Sequence, residues 1–290
     1  MTAQTDHCQE HADAIAWARK EIGAEVTSVR PLEGGLTSTM LALSDASGQG
    51  HVLRLMTNEP WATHGADLTR RERDAQRAVA PAVPAPTSVA LDADGTVTGV
   101  PAHLMTRLPG APTGEVDAAA VEAMAGALAA IHAVRPVEPF RTYQSWAWEA
   151  KWVVPPWTRH PGSWSRAFEL LAQEPPGYAA TFLHRDFSHR NLLWDRGRVS
   201  GVVDWVEAST GPAWLDAAHA ATNLALAHGP GAARAFLAAY RPLAPEEPCT
   251  YWLVMDAVGF LPSPGRAPLF DSPTELARLD GWLHELVEGA

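Results

Sequence analysis

Asp186, Asn191 and Asp204 are the residues whose types and spacing best support chemistry in this sequence. The first two lie in a polar loop, His184-Arg185-Asp186-Phe187-Ser188-His189-Arg190-Asn191. The third follows Leu192-Leu193-Trp194, an Asp195-Arg196-Gly197-Arg198 turn and the run Val199 to Val203. The apolar stretch Thr181-Phe182-Leu183 delivers the loop, and two β-rich runs joined by a Gly-containing turn predict a hairpin behind it. That arrangement gathers the three side chains at one end of the hairpin. Oxygen ligands of this kind suit Mg²⁺, which takes one or two protein carboxylates and completes its shell with water and phosphate oxygens. A carboxylate is then left over for work on a proton.

The spacing H-x-D-x-x-x-x-N is that of a kinase catalytic loop, in which the Asp orients a hydroxyl nucleophile and accepts its proton while the Asn holds metal. With Val202-Val203-Asp204-Trp205 downstream, the chain resembles the aminoglycoside phosphotransferase family of small-molecule kinases. The resemblance implies an α+β, bilobal, protein-kinase-like fold with a small antiparallel-sheet N-terminal lobe and a larger, mostly helical C-terminal lobe. It implies Asp186 as catalytic base, Asn191 and Asp204 as Mg²⁺ ligands, and His184 and Asp216 as structural support for the catalytic loop. The competing reading is a hairpin with ordinary turn acids.

Composition narrows the function classes. The chain has 290 residues, is 47% hydrophobic and 19% charged, and carries a formal net charge of -11. A basic stripe for nucleic acid is not expected, and nothing favours an anionic membrane. No apolar run reaches the length of a membrane span, and the first residues lack a signal-peptide pattern, so the expected location is cytoplasmic. Cys8 and Cys249 cannot build a disulfide framework. His7 and His11 around Cys8 fit a solvated N-terminal helix better than a metal site, because no third ligand with zinc spacing follows.

The elements that must position the loop follow from periodicity. A helix is expected over 10–22, then strands at Val26 to Val29, Met40 to Leu43 and Val52 to Leu55, as an antiparallel meander. Between the first two strands stand Gly34, Gly35 and Ser38. The glycines let backbone approach a ligand, and the hydroxyl could bond phosphate oxygens, although an ordinary β-turn explains them equally. Arg54 stands where the family places a phosphate-reaching Lys, and Glu72, on a helix over Leu68 to Val79, is its implied partner. Arg54 at an exposed strand edge, and Glu72 paired along its own helix, are the plain alternatives. Strands at Ser88 to Leu91 and Ala102 to Met105 close the small lobe. A hinge at Thr106-Arg107-Leu108-Pro109-Gly110 then divides residues 1–107, the nucleotide-binding lobe, from 108–290, the catalytic and substrate lobe. Similar kinases hold adenine on backbone groups here, which nominates Met105, Thr106, Arg107 and Leu108. Helices are expected over Asp117 to Ala133, with His132 a core or capping residue, and over 214–228, 231–240, 248–260 and 273–288.

Only residues 205 to 215 separate Asp204 from Asp216, and no Ala-Pro-Glu motif lies between them. That is too short for a peptide-docking activation segment, so the expected acceptor is a small molecule. The expected reaction moves the γ-phosphoryl group of ATP or GTP, with Mg²⁺, to a hydroxyl of an antibiotic or other natural product. A catalytically silent nucleotide-binding member, acting as sensor or scaffold, is the alternative, and Arg54 in place of Lys is its support. A hydrolase built on Asp186 with His184 or His189 lacks a nucleophile elbow. Glu207, Asp256 and Asp271 are acids available to a cationic acceptor. Against them stands the segment 140–170, where Trp146, Trp148, Trp152, Trp157 and Trp164 lie among Arg141, Lys151, Arg159 and Arg166. Trp152 and Trp157 are the nominated acceptor wall, better suited to a flat or apolar alcohol than to a polyamine.

Overall fold

The computed structural model describes residues 11–32 and 37–289. His7, Cys8, Gly34 and Gly35 lie outside the described residues. The chain divides into two compact units, one running to Gly110 and taking back Ser200–Glu207, the other formed by Ala111–Val199 and Ala208–Ala290. The return of Ser200–Glu207 has no counterpart in the division at 107/108 expected from the sequence, because it rests on contacts between residues far apart in the chain.

In the first unit, helix α1 (Ala12–Ile22) precedes strands β1 (Val26–Pro31), β2 (Thr39–Asp45) and β3 (Gly50–Leu55). Helix α2 (Gly65–Val79) and strands β4 (Ser88–Asp92) and β5 (Ala102–Thr106) follow. The sheet is antiparallel throughout in the order β1-β2-β3-β5-β4. Strand alternation decides its chemistry. Leu53 and Leu55 of β3, with Leu41, Leu43 and Leu104, form a core cluster with Ile15 and Trp17 of α1. Arg54, between Leu53 and Leu55, must point to the opposite face. There it pairs in register with His103 of β5. On α2 the buried residues Leu68, Thr69, Glu72, Ala75, Gln76 and Val79 recur at helical spacing, so Glu72 lies on the inward face and is fully buried. The returning segment joins the same unit: Val202 N donates to Pro84 O (2.8 Å), Arg71 Nη1 to Val206 O (2.6 Å), and Val206 packs with Met56 and Leu68.

The second unit is mostly helical. Its helices are α3 (Ala118–His132), α4 (Pro161–Leu171), α5 (Ala213–His228), α6 (Pro230–Tyr240), α7 (Thr250–Gly259) and α8 (Pro273–Glu288). Asp117 caps α3 by accepting from Ala120 N at 2.8 Å. Helix α5 is buried on nearly every side from Ala213 to Leu226, as its run of alanines allows. Two short strand pairs frame the loop, β6 (Thr181–Leu183) with β9 (Ser209–Gly211), and β7 (Leu192–Asp195) with β8 (Arg198–Val202). A Cβ on Gly211 would lie 2.7 Å from the Tyr143 ring and 2.9 Å from Leu183, so only glycine lets β9 approach this closely. Along β8 the chain passes from the second unit into the first.

Candidate active site

Buried strand β6 ends at Leu183, and the loop turns sharply at Arg185, whose φ of 74° is in the left-handed region. A non-glycine residue pays roughly 1–2 kcal/mol for that conformation, so something must hold it. Asp216, in the first turn of α5, does so: its Oδ2 accepts from His184 N (2.8 Å) and its Oδ1 from Arg185 N (2.7 Å). His132 of α3 places Nε2 3.1 Å from Oδ2 and Nδ1 2.5 Å from the Tyr240 hydroxyl. A carboxylate only accepts, so Nε2 carries the proton. Burial raises the pKa of Asp216, but the hydrogen bond and charge of His132, with His184, outweigh it and hold the group below the usual carboxylate range.

Asp186 follows, with its side chain 35% exposed. Its backbone N–H donates to His184 Nδ1 (3.2 Å), which fixes the imidazole of His184 inside the loop. Asn191 Nδ2 donates to both Asp186 O (2.8 Å) and Asp186 Oδ2 (2.9 Å). The amide nitrogen of Asn191 is thus committed to the loop, and its Oδ1 is the atom suited to a cation. On the other oxygen, His219 of α5 places Nε2 2.9 Å from Asp186 Oδ1. Burial works to raise the Asp186 pKa; the hydrogen bond and charge of His219, then His184 and Asn191, prevail and lower it. Asp186 is an ionised, oriented carboxylate at neutral pH.

Within the first unit a second set of charges forms around Arg54, which is only 4% exposed. Its Nε lies 3.2 Å from Glu72 Oε2 and its Nη2 3.0 Å from Asp204 Oδ1, while Nη1 reaches Ser38 Oγ at 3.4 Å. His103 Nδ1 adds a contact of 3.0 Å to the same Glu72 oxygen. Burial would raise the Glu72 pKa, yet Arg54 and then His103 overcome it and hold the group ionised. Asp204 has φ 68°, again left-handed, and its side chain is 29% exposed. Neither the strand-edge alternative for Arg54 nor the surface alternative for Glu72 describes this buried pair.

A family model described as the phosphotransferase enzyme family matches residues 28–253. The chain belongs to that family. Aminoglycoside phosphotransferase APH(4)-Ia, a crystal structure 19% identical in sequence, aligns with a TM-score of 0.67 over 96% of this chain and 99% of that one. Amicoumacin kinase hAmiN, solved with AMP-PNP, Ca²⁺ and Ami, is 14% identical with a TM-score of 0.60, covering 98% and 96%. Macrolide 2'-phosphotransferase MphH from Brachybacterium faecium is 18% identical with a TM-score of 0.59, covering 96% and 94%. A search of curated proteins returned no match. At these identities the structures show the fold, an α+β kinase-like architecture, and the family match makes the chain a phosphotransferase.

Other nominated residues of this phosphotransferase fall unevenly. Met105 and Thr106 belong to β5; Thr106 N donates to Thr87 O and Arg107 N to Gly50 O, both at 2.9 Å. Those two amides already hold the end of the sheet, so any adenine contact from Thr106 and Arg107 would fall to their carbonyl groups. Asp256 is corrected as an acceptor acid. Its side chain is completely buried and lies 3.0 Å from His219 Nδ1. Trp152 stacks on Phe168 (6.4 Å, 8°) and donates to Ala147 O, while Trp157 meets Trp164 edge-on at 5.8 Å. Both rings pack against α4. Trp146 is the tryptophan nearest Asp186's partner His219, edge-on to its ring at 5.2 Å and beneath the Arg185 guanidinium at 3.8 Å. Glu207 is half-buried in the returning segment. His219 itself was missed. A signal was present, since Asp216, His219 and Asn223 repeat at helical spacing inside an otherwise alanine-rich buried helix, where polar residues need a reason.

Proposed function

We propose that this phosphotransferase moves the γ-phosphoryl group of ATP or GTP to a hydroxyl of a small molecule, with Asp186 as the base. The observation that carries this is the Asp186 carboxylate, ionised, partly exposed and held on both oxygens at the end of a loop whose backbone Asp216 pins. In the reaction the acceptor O–H breaks, its proton passes to Asp186, the oxygen bonds to the γ-phosphorus, and the bond to the β-phosphate oxygen breaks to release the nucleoside diphosphate. Arg54, anchored on Glu72, supplies a desolvated cation for phosphate oxygens, and Arg can bind phosphate through two donors at once. Asn191 Oδ1 in the second unit and the partly exposed Asp204 carboxylate in the first are each oxygen donors of the kind Mg²⁺ takes. When bound with the nucleotide, such an ion would supply charge neutralisation at the phosphates. Support for the nucleotide comes from a thermostable mutant of APH(4)-Ia, 19% identical, solved with ADP and hygromycin B.

For the acceptor, the surroundings of the base favour a molecule that is not strongly cationic. Asp256, the acid best placed behind Asp186, is already held by His219, with Arg185 Nη1 at 3.9 Å, and Trp146 and Phe260 flank the imidazole. A screen of γ-labelled ATP against aminoglycosides, macrolides, nucleosides, amino alcohols and sugars tests both levels. Transfer to a neutral or weakly basic alcohol, abolished in Asp186→Ala, is the expected result. Efficient transfer to kanamycin-like polyamines alone would overturn the acceptor class, and nucleotide binding without transfer to any alcohol would favour the silent reading.

A further inference from the structure

The catalytic loop supplies only one of the two side-chain donors on Asp186; the other comes from α5. His219 lies one helical turn beyond Asp216, so the helix face that pins the loop backbone also reaches the side chain of the base. Its ring is buried, stacked against Phe260 (5.5 Å, 21°) and edge-on to Trp146 (5.2 Å), which leaves it little room to turn. Nε2 faces Asp186 Oδ1 at 2.9 Å and Nδ1 faces Asp256 Oδ1 at 3.0 Å. Asn223 Nδ2, which gives one hydrogen to His219 O at 2.9 Å, also lies 3.0 Å from Nε2. Each ring nitrogen nevertheless has a carboxylate oxygen within 3.0 Å, and a ring that donates to both carboxylates is an imidazolium. Behind it, Arg185 lies 3.9 Å from Asp256 and rests on Trp146. Charges thus alternate from Asp186 through His219 and Asp256 to Arg185, which is how several ions tolerate burial together.

We propose that His219 is a positioning residue of the phosphotransfer reaction, locked as an imidazolium between Asp186 and Asp256 so that the plane of the base is fixed toward the acceptor hydroxyl. The proposal rests on the reading of Asp186 as base. With Asn191 on Oδ2 and His219 on Oδ1, neither carboxylate oxygen can rotate away without losing a charge-assisted bond, and each keeps a lone pair for the hydroxyl. Burial works against the charged ring, but the Asp256 charge and the bond to Asp186 prevail and push its pKa up to about 9. Below that pH the lock is closed. Above it the ring has one hydrogen for two carboxylates, and the base loosens. The charged groups facing the ring are Asp186 and Arg185 from the loop and Asp256 from α7. Lys151, which donates to Gly259 O of α7 and is lowered to about 8 by burial, titrates in the same range and serves as the control.

Two measurements on the full chain test this. In an NMR titration of ¹⁵N-histidine-labelled enzyme, with His219 assigned by difference against His219→Gln, the ring stays an imidazolium to about pH 9, and Asp256→Asn shifts its titration downward. A neutral His219 ring at pH 7 overturns the proposal whatever the variants do. In kinetics with Mg-ATP, using water as acceptor and any alcohol the screen returns, His219→Gln lowers kcat roughly 10- to 100-fold, as loss of orientation does, with KM for Mg-ATP within about 2-fold. It also abolishes the alkaline fall in kcat, which persists in Lys151→Met. An unchanged kcat and alkaline limb in His219→Gln sinks the positioning role while Asp186→Ala remains inactive; full activity in Asp186→Ala instead removes the base reading.

Discussion

Arg54 shows how much one residue's strand position decides. Alternation in β3 turns it away from the leucine core, and register sets it beside His103 over the buried face of α2. Its loss strands Glu72 in the interior without its main counter-charge, which typically costs about 3–5 kcal/mol. Arg54→Ala is therefore expected to lower Tm, raise KM for Mg-ATP and depress kcat, all measurable in one purified variant. Arg54→Lys is the more telling substitution. An ammonium can hold Glu72 but lacks the fork that reaches Asp204 at the same time, so stability should recover more than nucleotide affinity does. A variant in which Arg54→Ala keeps wild-type nucleotide kinetics would show that the pair serves folding alone. The loop carrying Asp186 and Asn191 is marked in the sequence by a local motif spacing, whereas the pairing of Arg54 with Glu72 is implied only by the family resemblance and is present as a buried ion pair. His219 was not legible in the sequence, since its partners Asp186 and Asp256 come from a loop and a helix distant in the chain, and only the tertiary fold selects them.

At the scale of elements, all five strands of the sheet and the long helices fall where periodicity and turn chemistry place them, while the joints between helices were invisible. Asp280 is such a joint. From α8 it accepts Thr158 Oγ1 (2.5 Å), Arg159 N (2.7 Å) and Trp164 Nε1 (2.9 Å), tying α8 to the start of α4. Burial raises its pKa, but the Thr158, Arg159 and Trp164 bonds outweigh it and lower the value from 3.8. A carboxylate lowered in the folded state stabilises fully above its unfolded pKa and loses that contribution as pH falls through the folded one. Thermal denaturation of the wild type should therefore show a loss below about pH 3.8 that is smaller in Asp280→Asn. At pH 7, Asp280→Ala should cost about 2–4 kcal/mol through its orphaned donors while leaving KM for Mg-ATP unchanged. A comparable change in KM would mean that α4 and α8 do more than brace the second unit. The tryptophans of 146–164 belong to this scale as well: composition shows an aromatic cluster, but which ring meets His219 depends on how the helices pack.

For the whole molecule, the formal net charge is -11, and among the described residues no helix is long and apolar enough to cross a membrane. Mg-ATP should stabilise the fold by roughly 2.7 kcal/mol at one hundred times Kd and raise Tm accordingly, and Asp204→Ala should reduce that shift. The sheet unit has a further property, since Ser200–Glu207 belongs to it. A fragment ending at Gly110 would lack Val202 for Pro84, Val206 for Arg71 and the Met56 cluster, and Asp204 for Arg54. Circular dichroism and amide dispersion of that fragment should show an incompletely ordered chain, and a natively folded one would contradict the dependence. On the ribosome the same contacts impose an order of events. With synthesis at roughly 5–20 residues per second, the sheet waits on the order of ten seconds after Gly110 is made before Glu207 follows. During that interval Arg54 lacks Asp204, and Met56 and Leu68 lack Val206, so the sheet unit, although made first, stays a chaperone client until the β7–β8 hairpin has been synthesised.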